Sequence, residues 1–309
     1  MRGSPSLPLE AGEVLQEIKA DNRSGAAQLA QRGAQLLLDV LKQGSAEEVR
    51  VLGKALVDAQ PAMAPMVNLV NHLFQAVESL KDPHAIREKG RVAVQGFLDG
   101  LITGAEKIRG HALALLQGKK TVMTLSYSST VLGVLSHATW IEVICPEARP
   151  LCEGVTIARE LGEKGIKVRL VADFAALSLM GECDLVMVGA DSITPAGVVN
   201  KIGTYGLALA ARNKGVPFYV LAGTEKFLPP PFSQNLRIEK KDPTEITREI
   251  IPHGVVENFY FDFTPLDLIT GVVTQQGVIA GSKVRERLEG MRISEGLKGV
   301  GSERGRVDF

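Results

Sequence analysis

The sequence predicts an α/β fold: a helical N-terminal domain over residues 1–116, then a Rossmann-like doubly wound parallel sheet domain over residues 117–295. Up to about residue 116 the apolar residues recur at steps of three and four, the spacing of helices that bury one face. From about residue 119 short apolar runs typical of strands alternate with helical stretches. Residues 296–309 are rich in glycine and charge and are predicted to form a flexible tail.

Helices of the N-terminal domain are marked by spacing and by capping signals. The helical spacing is clearest in "AAQLAQRGAQLLLDVLKQ" and in "VLGKALVDA". Ser45 is followed by Glu48, the arrangement of a capping box, in which each side chain accepts a free backbone N–H of the other residue. Asp82 precedes Pro83, which predicts an N-cap with proline at the first helical position. Both signals indicate where a helix begins.

Six apolar runs in the second half of the chain are predicted to be strands: "TVMTLSY", "WIEVIC", "KVRLVADF", "CDLVMVGA", "PFYVLA" and "FYFDF". Helical stretches such as "EGVTIARELGEKG" and "YGLALAARNKG" lie between them. Strands that are apolar on both faces need cover on both sides, and right-handed crossover helices provide it. The second domain is therefore predicted to be a doubly wound parallel sheet.

Composition excludes several classes of function. The 35 basic and 35 acidic residues balance, so no overall positive field gathers nucleic acid, and no direct nucleic-acid partner is expected. No apolar run reaches the roughly 18 residues of a membrane span, and the first residues have no signal-peptide core. A cytoplasmic protein without a membrane partner is therefore expected.

Neither a metal nor a cofactor is predicted. The three cysteines and five histidines show no metal-ligand spacing, and an odd number of cysteines does not support a disulfide framework. No "GxGxxG" follows the first predicted strand and no "GxxxxGK[ST]" occurs. The absence of both motifs disfavours dinucleotide binding and P-loop nucleotide binding.

Polar side chains follow several predicted strands at the point where each strand ends. Ligands of a doubly wound sheet bind at this edge, where helix N-termini present free N–H groups. Hydroxyls there can bond phosphate oxygens, an arginine can hold two oxygens at once, and a lysine adds a positive charge. The residues are Ser126, Ser128 and Ser129 after the first strand, Arg149 after the second, Asp191 after the fourth, and Asn200 and Lys201 before the next helix.

Each of these residues has a structural interpretation when it is taken alone. Ser128 and Ser129 fit an ordinary helix cap, Asp191 fits a turn, and Arg149 fits a surface ion pair. Arg23, just before a long helix, fits either a contact to a bound anion or a solvated charge. The convergence of several strand ends on one sheet edge favours binding of a small phosphorylated ligand.

The chain resembles one superfamily through a collinear series of motifs from about residue 14 to residue 285. The most specific motif is "GADSITPAGVVNKIGTYGLALAARNKGVPFYVLA". It is supported by "RSGA", "TLSYSSTVLGVL", "EARPLCEG", "TEKF", "KKDPTEI" and "FDFTPLDLITGVVT". The superfamily comprises the alpha, beta and delta subunits of eukaryotic translation initiation factor 2B, 5-methylthioribose-1-phosphate isomerase and archaeal ribose-1,5-bisphosphate isomerase.

The resemblance implies a pocket between the two domains that holds a sugar phosphate, and a homodimer or larger assembly. The substrate-binding residues that it implies are Arg23, Gly25, Ser128, Ser129, Arg149, Asn200 and Lys201. In the isomerases an aspartate and a cysteine serve as catalytic groups while a C1-phosphorylated aldopentose becomes a 2-ketose phosphate. Here the aspartate is Asp191, whereas Ser126 stands at the cysteine position. A serine hydroxyl is a far weaker acid than a thiol, so proton donation by this route is weakened.

Three functions follow from these residues. The leading hypothesis is an initiation factor 2B-like protein that binds a sugar phosphate or nucleoside monophosphate in an isomerase-type pocket, with a translation initiation factor as a further partner. Gln60, which stands where the isomerases carry an arginine, removes one candidate phosphate contact and agrees with doubtful catalysis. The first alternative is an active aldose–ketose isomerase acting on ribose-1,5-bisphosphate or methylthioribose-1-phosphate. The second alternative is a structural subunit whose pocket is vestigial.

Overall fold

The chain divides into two compact units in the computed structural model, which describes residues 8–21, 24–60, 63–233, 236 and 238–300. The first unit contains Met1–Thr103, Glu225–Leu236 and Leu288–Phe309, and the second contains Gly104–Thr224 and Arg237–Arg287. The first division differs from the predicted boundary at residue 116, because it falls inside one continuous helix. Helical spacing shows no break at such a point.

Eleven α-helices occur in the described residues. They are α1 (Leu9–Ala20), α2 (Ala26–Gln43), α3 (Ala46–Ala59), α4 (Ala64–Val77), α5 (Pro83–Leu115), α6 (Ser129–Leu135), α7 (Glu153–Glu163), α8 (Asp173–Leu179), α9 (Thr204–Lys214), α10 (Pro230–Ser233) and α11 (Val284–Glu289). The capping box of Ser45 and Glu48 is present at the start of α3. Asp82 accepts the N–H of Ala85 at 2.9 Å, as the predicted cap of α5 requires. The predicted helical N-terminal region is confirmed, and its core contains Leu29, Leu37, Leu52, Leu56 and Leu69.

The last described residues pack in the helical unit. Nδ2 of Asn71 donates to the carbonyl of Arg292 at 2.9 Å, and its Oδ1 accepts the N–H of Ser294 at 2.8 Å. Leu297 is buried, 1% exposed. The predicted flexible tail therefore includes an ordered, buried position at Leu297, while residues 301–309 lie outside the described residues. One apolar side chain among glycines and charges is too weak a sequence signal to predict this packing.

The second unit contains a seven-stranded sheet. The ten strands of the described residues are β1 (Thr121–Met123), β2 (Glu142–Pro146), β3 (Lys167–Val171), β4 (Leu185–Val188), β5 (Ser192–Ile193), β6 (Gly197–Lys201), β7 (Phe218–Leu221), β8 (Phe261–Pro265), β9 (Gly271–Thr274) and β10 (Gly277–Ala280). The order of the main sheet is β10-β9-β7-β4-β1-β2-β3, with all pairs parallel except β9 with β10. The doubly wound, mostly parallel sheet is thus confirmed.

Strands β5, β6 and β8 form a separate antiparallel sheet in the order β5-β6-β8. One sequence interpretation was wrong here, since "FYFDF" lies at β8 rather than in the parallel sheet. Strand β6, the "GVVNK" stretch before α9, was not predicted, although all five of its residues are buried. A short apolar run has the same pattern in parallel and antiparallel sheets, so the sequence of β8 does not specify its sheet. The pairing of β8 with β6 places it in the smaller sheet, and the sequence pattern does not specify strand pairing.

Candidate functional site

The switch point of the main sheet lies between β1 and β4. The sheet grows from β1 to β2 and β3 on one side, and from β4 to β7 and β9 on the other. Open α/β sheets bind ligands at the carboxyl ends of the strands beside such a point. The loops after β1 and β4 touch, because a Cβ atom at Gly189 would lie 2.7 Å from Oγ of Ser128. Glycine at this position therefore permits the close approach of the two loops.

Ser126 and Asp191, the predicted catalytic residues, follow the two strands beside the switch point. Ser126 has a φ of 61°, a left-handed conformation that is strained for a non-glycine residue and that clusters at functional sites. Asp191 is half-buried, and its backbone N–H donates to the carbonyl of Val199 at 2.9 Å. The nearby hydroxyls of Thr124 and Ser192 are buried without a hydrogen-bond partner in the described part of the chain. Buried polar groups are rarely unpaired, so these hydroxyls indicate a place for water or a ligand.

Ser128 and Ser129 lie at the start of α6. Ser128 is the N-cap, and its Oγ accepts the N–H of Val131 at 3.4 Å. Ser129 is the first helical residue and is exposed. A capping hydroxyl accepts one hydrogen bond and still has its own proton to donate. The capping role of Ser128 is therefore compatible with a contact to a phosphate oxygen.

Lys201 lies in β6 with a side chain only 5% exposed. Its Nζ donates to both carboxylate oxygens of Glu153 at 2.9 Å, and it lies 5.5 Å from the centre of the Tyr260 ring. The preceding residue, Asn200, is buried and donates to Oγ1 of Thr204 at 3.0 Å. The lysine is thus held in a bidentate ion pair with Glu153, a partner that the sequence patterns did not indicate.

Arg149 is exposed at the start of the segment that follows β2. Its guanidinium donates to the backbone carbonyls of Glu245 and Ile246 at 3.2 and 3.3 Å. The hydroxyl of Tyr260 donates to the carboxylate of Glu245, and burial together with this carboxylate raises the pKa of Tyr260. Since the Tyr260 ring also contacts the ammonium of Lys201, one polar network links Arg149 to Lys201.

The other two predicted binding residues belong to the helical unit. Arg23 lies outside the described residues. Gly25 is the N-cap of α2, and its N–H donates to Oε1 of Gln28 at 3.2 Å. Gln60 has a local structural role, because its Nε2 donates to the carbonyl of Ile18 at 2.7 Å near the end of α1. The glutamine therefore satisfies a backbone carbonyl that the helix leaves unpaired.

Three carboxylates near the strand ends were missed by sequence reasoning. Glu153 is the partner of Lys201, and Asp173 accepts the backbone N–H of Arg149 at 2.8 Å. Asp262 accepts the N–H groups of Gly203 and Tyr205, at 2.7 and 3.1 Å, at the start of α9. Glu153 and Asp262 stand in the quoted motifs "EARPLCEG" and "FDFTPLDLITGVVT", which offered the only signal.

Asp262 has an electrostatic environment unlike that of an exposed aspartate. Its Oδ1 is buried without a hydrogen-bond partner among the described residues, and burial raises the pKa of the carboxyl to about 6. Asp262 holds the turn at Gly203, and this turn is close to the loop after β1. A Cβ atom at Gly203 would lie 3.7 Å from Cδ2 of Leu125. Leu125 immediately precedes Ser126. The turn that Asp262 holds therefore lies beside the residue that precedes Ser126.

Cys145, in β2, is a poor proton donor near neutral pH. It is fully buried, and burial raises the pKa of its thiol to about 12. Within the described ranges no three His, Cys, Asp or Glu side chains are grouped so that they could hold a metal ion. No helix in those ranges is long and apolar enough to cross a membrane.

Comparison with known proteins gives consistent matches over most of the chain. The model of the Initiation factor 2 subunit family matches residues 1–281. The ribose 1,5-bisphosphate isomerase of Archaeoglobus fulgidus is 34% identical over 283 residues, which cover 87% of this chain and 90% of that protein. The methylthioribose-1-phosphate isomerase of Desulforudis audaxviator is 34% identical over 297 residues, which cover 86% and 85%. The crystal structure of the translation initiation factor eIF-2B of Pyrococcus horikoshii OT3 has a TM-score of 0.77 and 30% identity, with 89% of this chain and 98% of that chain covered.

Proposed function

The chain belongs to the initiation factor 2 subunit family, and from this membership we propose that it binds a sugar phosphate or nucleoside monophosphate beside the switch point of its main sheet. The observation that carries the proposal is the pair of buried, unpartnered hydroxyls of Thr124 and Ser192. Thr124 lies in the loop after β1, two residues before Ser126, and Ser192 is the first residue of β5, directly after Asp191. A ligand hydroxyl or a phosphate oxygen at this place would complete their hydrogen bonding.

Each predicted residue has a role that its chemistry supports. The phosphate would be held by Ser128, Ser129, Arg149 and Lys201, and the sugar hydroxyls would contact Asp191 and Asn200. Arg23 and Gly25 stay predicted substrate-binding residues. Hydroxyl and guanidinium groups donate to phosphate oxygens, whereas carboxylate and amide oxygens accept from sugar hydroxyls. Lys201 can contribute its charge to phosphate only after its ion pair with Glu153 opens.

Thermal unfolding with candidate ligands tests the proposal. We expect ribose 1,5-bisphosphate or adenosine 5′-monophosphate to raise the melting temperature by several degrees, because a ligand at about 100 times its Kd stabilises the folded state by about 2.7 kcal/mol. Ribose without phosphate should give a much smaller shift. Arg149→Met should reduce the shift, whereas Arg159→Met, an exposed change in α7, should preserve it. A flat response to every ligand would favour the structural subunit with a vestigial pocket.

An active sugar-phosphate isomerase is the second candidate, and Asp262 is the observation that favours it. An acid with a pKa of about 6 can donate a proton near neutral pH, which Ser126 cannot do efficiently. In this alternative Asp191 is the base. Turnover of ribose 1,5-bisphosphate or methylthioribose-1-phosphate that disappears in Asp191→Asn would support it. Turnover that appears only after Ser126→Cys would instead identify the missing cysteine as the block.

A homodimer or larger homo-oligomer is the proposed assembly. Large apolar side chains that protrude from the second unit support it, since Phe174 is 85% exposed, Ile250 92% and Val255 86%. Contact with a second copy would remove their apolar surface from water, which is favourable. We expect light scattering to give at least twice the 33.1 kDa of one chain, and a monomer mass at micromolar concentration would contradict this. A translation initiation factor stays a predicted further partner.

A further inference from the structure

The ammonium of Lys201 is paired with groups of the chain itself. Both carboxylate oxygens of Glu153 accept from Nζ at 2.9 Å, and the ring of Tyr260 lies 5.5 Å away. A carboxylate in this bidentate position occupies the place on an ammonium that two phosphate oxygens would otherwise take. The positive charge that the proposed ligand needs is therefore neutralised by a residue of the chain itself.

We propose that Glu153 is a specificity-determining residue that competes with the anionic group of the ligand for Lys201. Binding of a phosphate would then be an exchange, in which the phosphate oxygens replace the carboxylate oxygens on Nζ. The inference rests on the proposed function, because it names the residue that sets the charge of the same site. The consequence is selectivity among anionic ligands. A weakly bound anion does not displace Glu153, whereas a phosphate that also contacts other residues of the site can do so.

The burial of the two partners indicates which one moves. The side chain of Lys201 is 5% exposed and that of Glu153 is 25% exposed. Withdrawing a buried ammonium from its partners would leave a charge without compensation, which is costly. The side chain of Glu153, in contrast, is partly exposed, so its carboxylate can be hydrated after it leaves the lysine. Exchange therefore requires a rotation of Glu153 while Lys201 stays in place.

The backbone beside Glu153 makes close contacts, so we expect the exchange to involve its side chain alone. Glu153 is the first residue of α7, and the preceding Cys152 has a left-handed φ of 58°. The N–H of Gly154 donates to the carbonyl of Glu147 at 3.0 Å. Gly154 also lies so close to the end of β2 that a Cβ atom there would be 1.8 Å from the carbonyl oxygen of Pro146.

Glu153→Gln tests the proposal, since it removes the charge and keeps nearly the same shape. We expect inorganic phosphate, measured by isothermal titration calorimetry, to bind at least about ten-fold more tightly to this variant than to the wild type. The unliganded variant should melt at a lower temperature, because it leaves Lys201 without a carboxylate, and phosphate should restore the melting temperature. Glu163→Gln, an exposed change in the same helix, should alter neither quantity.

Phosphate affinity that is unchanged or weaker in Glu153→Gln would overturn the proposal. A second measurement uses only the wild type: a crystal structure with a bound phosphate or sugar phosphate should show the carboxylate of Glu153 beyond hydrogen-bonding distance of Nζ. A bound ligand beside an intact pair would also overturn it, since Glu153 would then only orient the lysine. Either failure leaves the proposed function standing if the melting temperature of the wild type still rises with sugar phosphate.

Discussion

Gly154→Ala is expected to destabilise the sheet unit by about 3 kcal/mol, because the added methyl group has no space. Its Cβ atom would lie 1.8 Å from the carbonyl oxygen of Pro146 and 2.9 Å from the carbonyl carbon of Glu147. Both contacts are to backbone, so no side chain can rotate away. Helix α7 would have to separate from the end of β2, which would also move Glu153 relative to Lys201. Urea unfolding followed by circular dichroism measures the change.

Gly162→Ala is the matched control in the same helix. No atom lies within 4 Å of a Cβ at Gly162, so the variant should be about 0.5–1 kcal/mol more stable than the wild type, as alanine usually is in a helix. The two substitutions are therefore expected to change the free energy of unfolding in opposite directions. Equal effects of Gly154→Ala and Gly162→Ala would show that the close packing of α7 against β2 is wrong.

Asp262 is expected to make the protein lose stability as pH rises from about 4 to about 7, by about 2–3 kcal/mol. Burial raises the pKa of its carboxyl to about 6 in the folded state, above the value in the unfolded chain. Between the two pKa values the folded state binds more protons, so the free energy of unfolding falls with increasing pH. The contribution of Asp262 to the free energy of unfolding is complete below the pKa of the unfolded chain. It is lost as pH rises through the pKa of the folded state.

Comparison of the wild type with Asp262→Asn isolates this contribution. The asparagine does not titrate, so the stability difference between the two proteins should follow the pH dependence of Asp262 in urea unfolding. Asp184→Asn is a control of opposite sign. The N–H groups of Lys120 and Thr121 lower the pKa of Asp184, so its contribution grows as pH rises through that pKa. A wild-type minus Asp262→Asn difference that is constant from about pH 4 to 7 would contradict the burial of Asp262.

Sequence patterns predicted the helical unit well because its signals are local. Ser45 and Glu48 are three residues apart, and the backbone N–H groups that they satisfy belong to the same turn. Asp82 acts within its own turn in the same way. The main parallel sheet was also predictable, since buried strands that alternate with helices allow few arrangements. The motifs that carried the resemblance to the initiation factor 2B superfamily identified the family correctly.

The partners of the candidate residues were beyond the reach of these patterns. Lys201 and Glu153 are 48 residues apart, and Gly203 and Asp262 are 59 apart. Nothing in the spacing of either sequence stretch specifies the other. It stays a prediction that the catalytic and binding residues form one ligand site. The ligand and variant experiments test it.

The sequence alone determined the fold class, the family and the strand ends at which polar side chains gather. These properties depend on residues that are close in the chain or on motifs read in order. Only the tertiary structure decided that Lys201 is paired with Glu153, that Asp262 holds the turn before α9, and that β8 lies in the smaller antiparallel sheet. The physical reason is that charge neutralisation, burial and strand pairing depend on distances in space between residues remote in sequence.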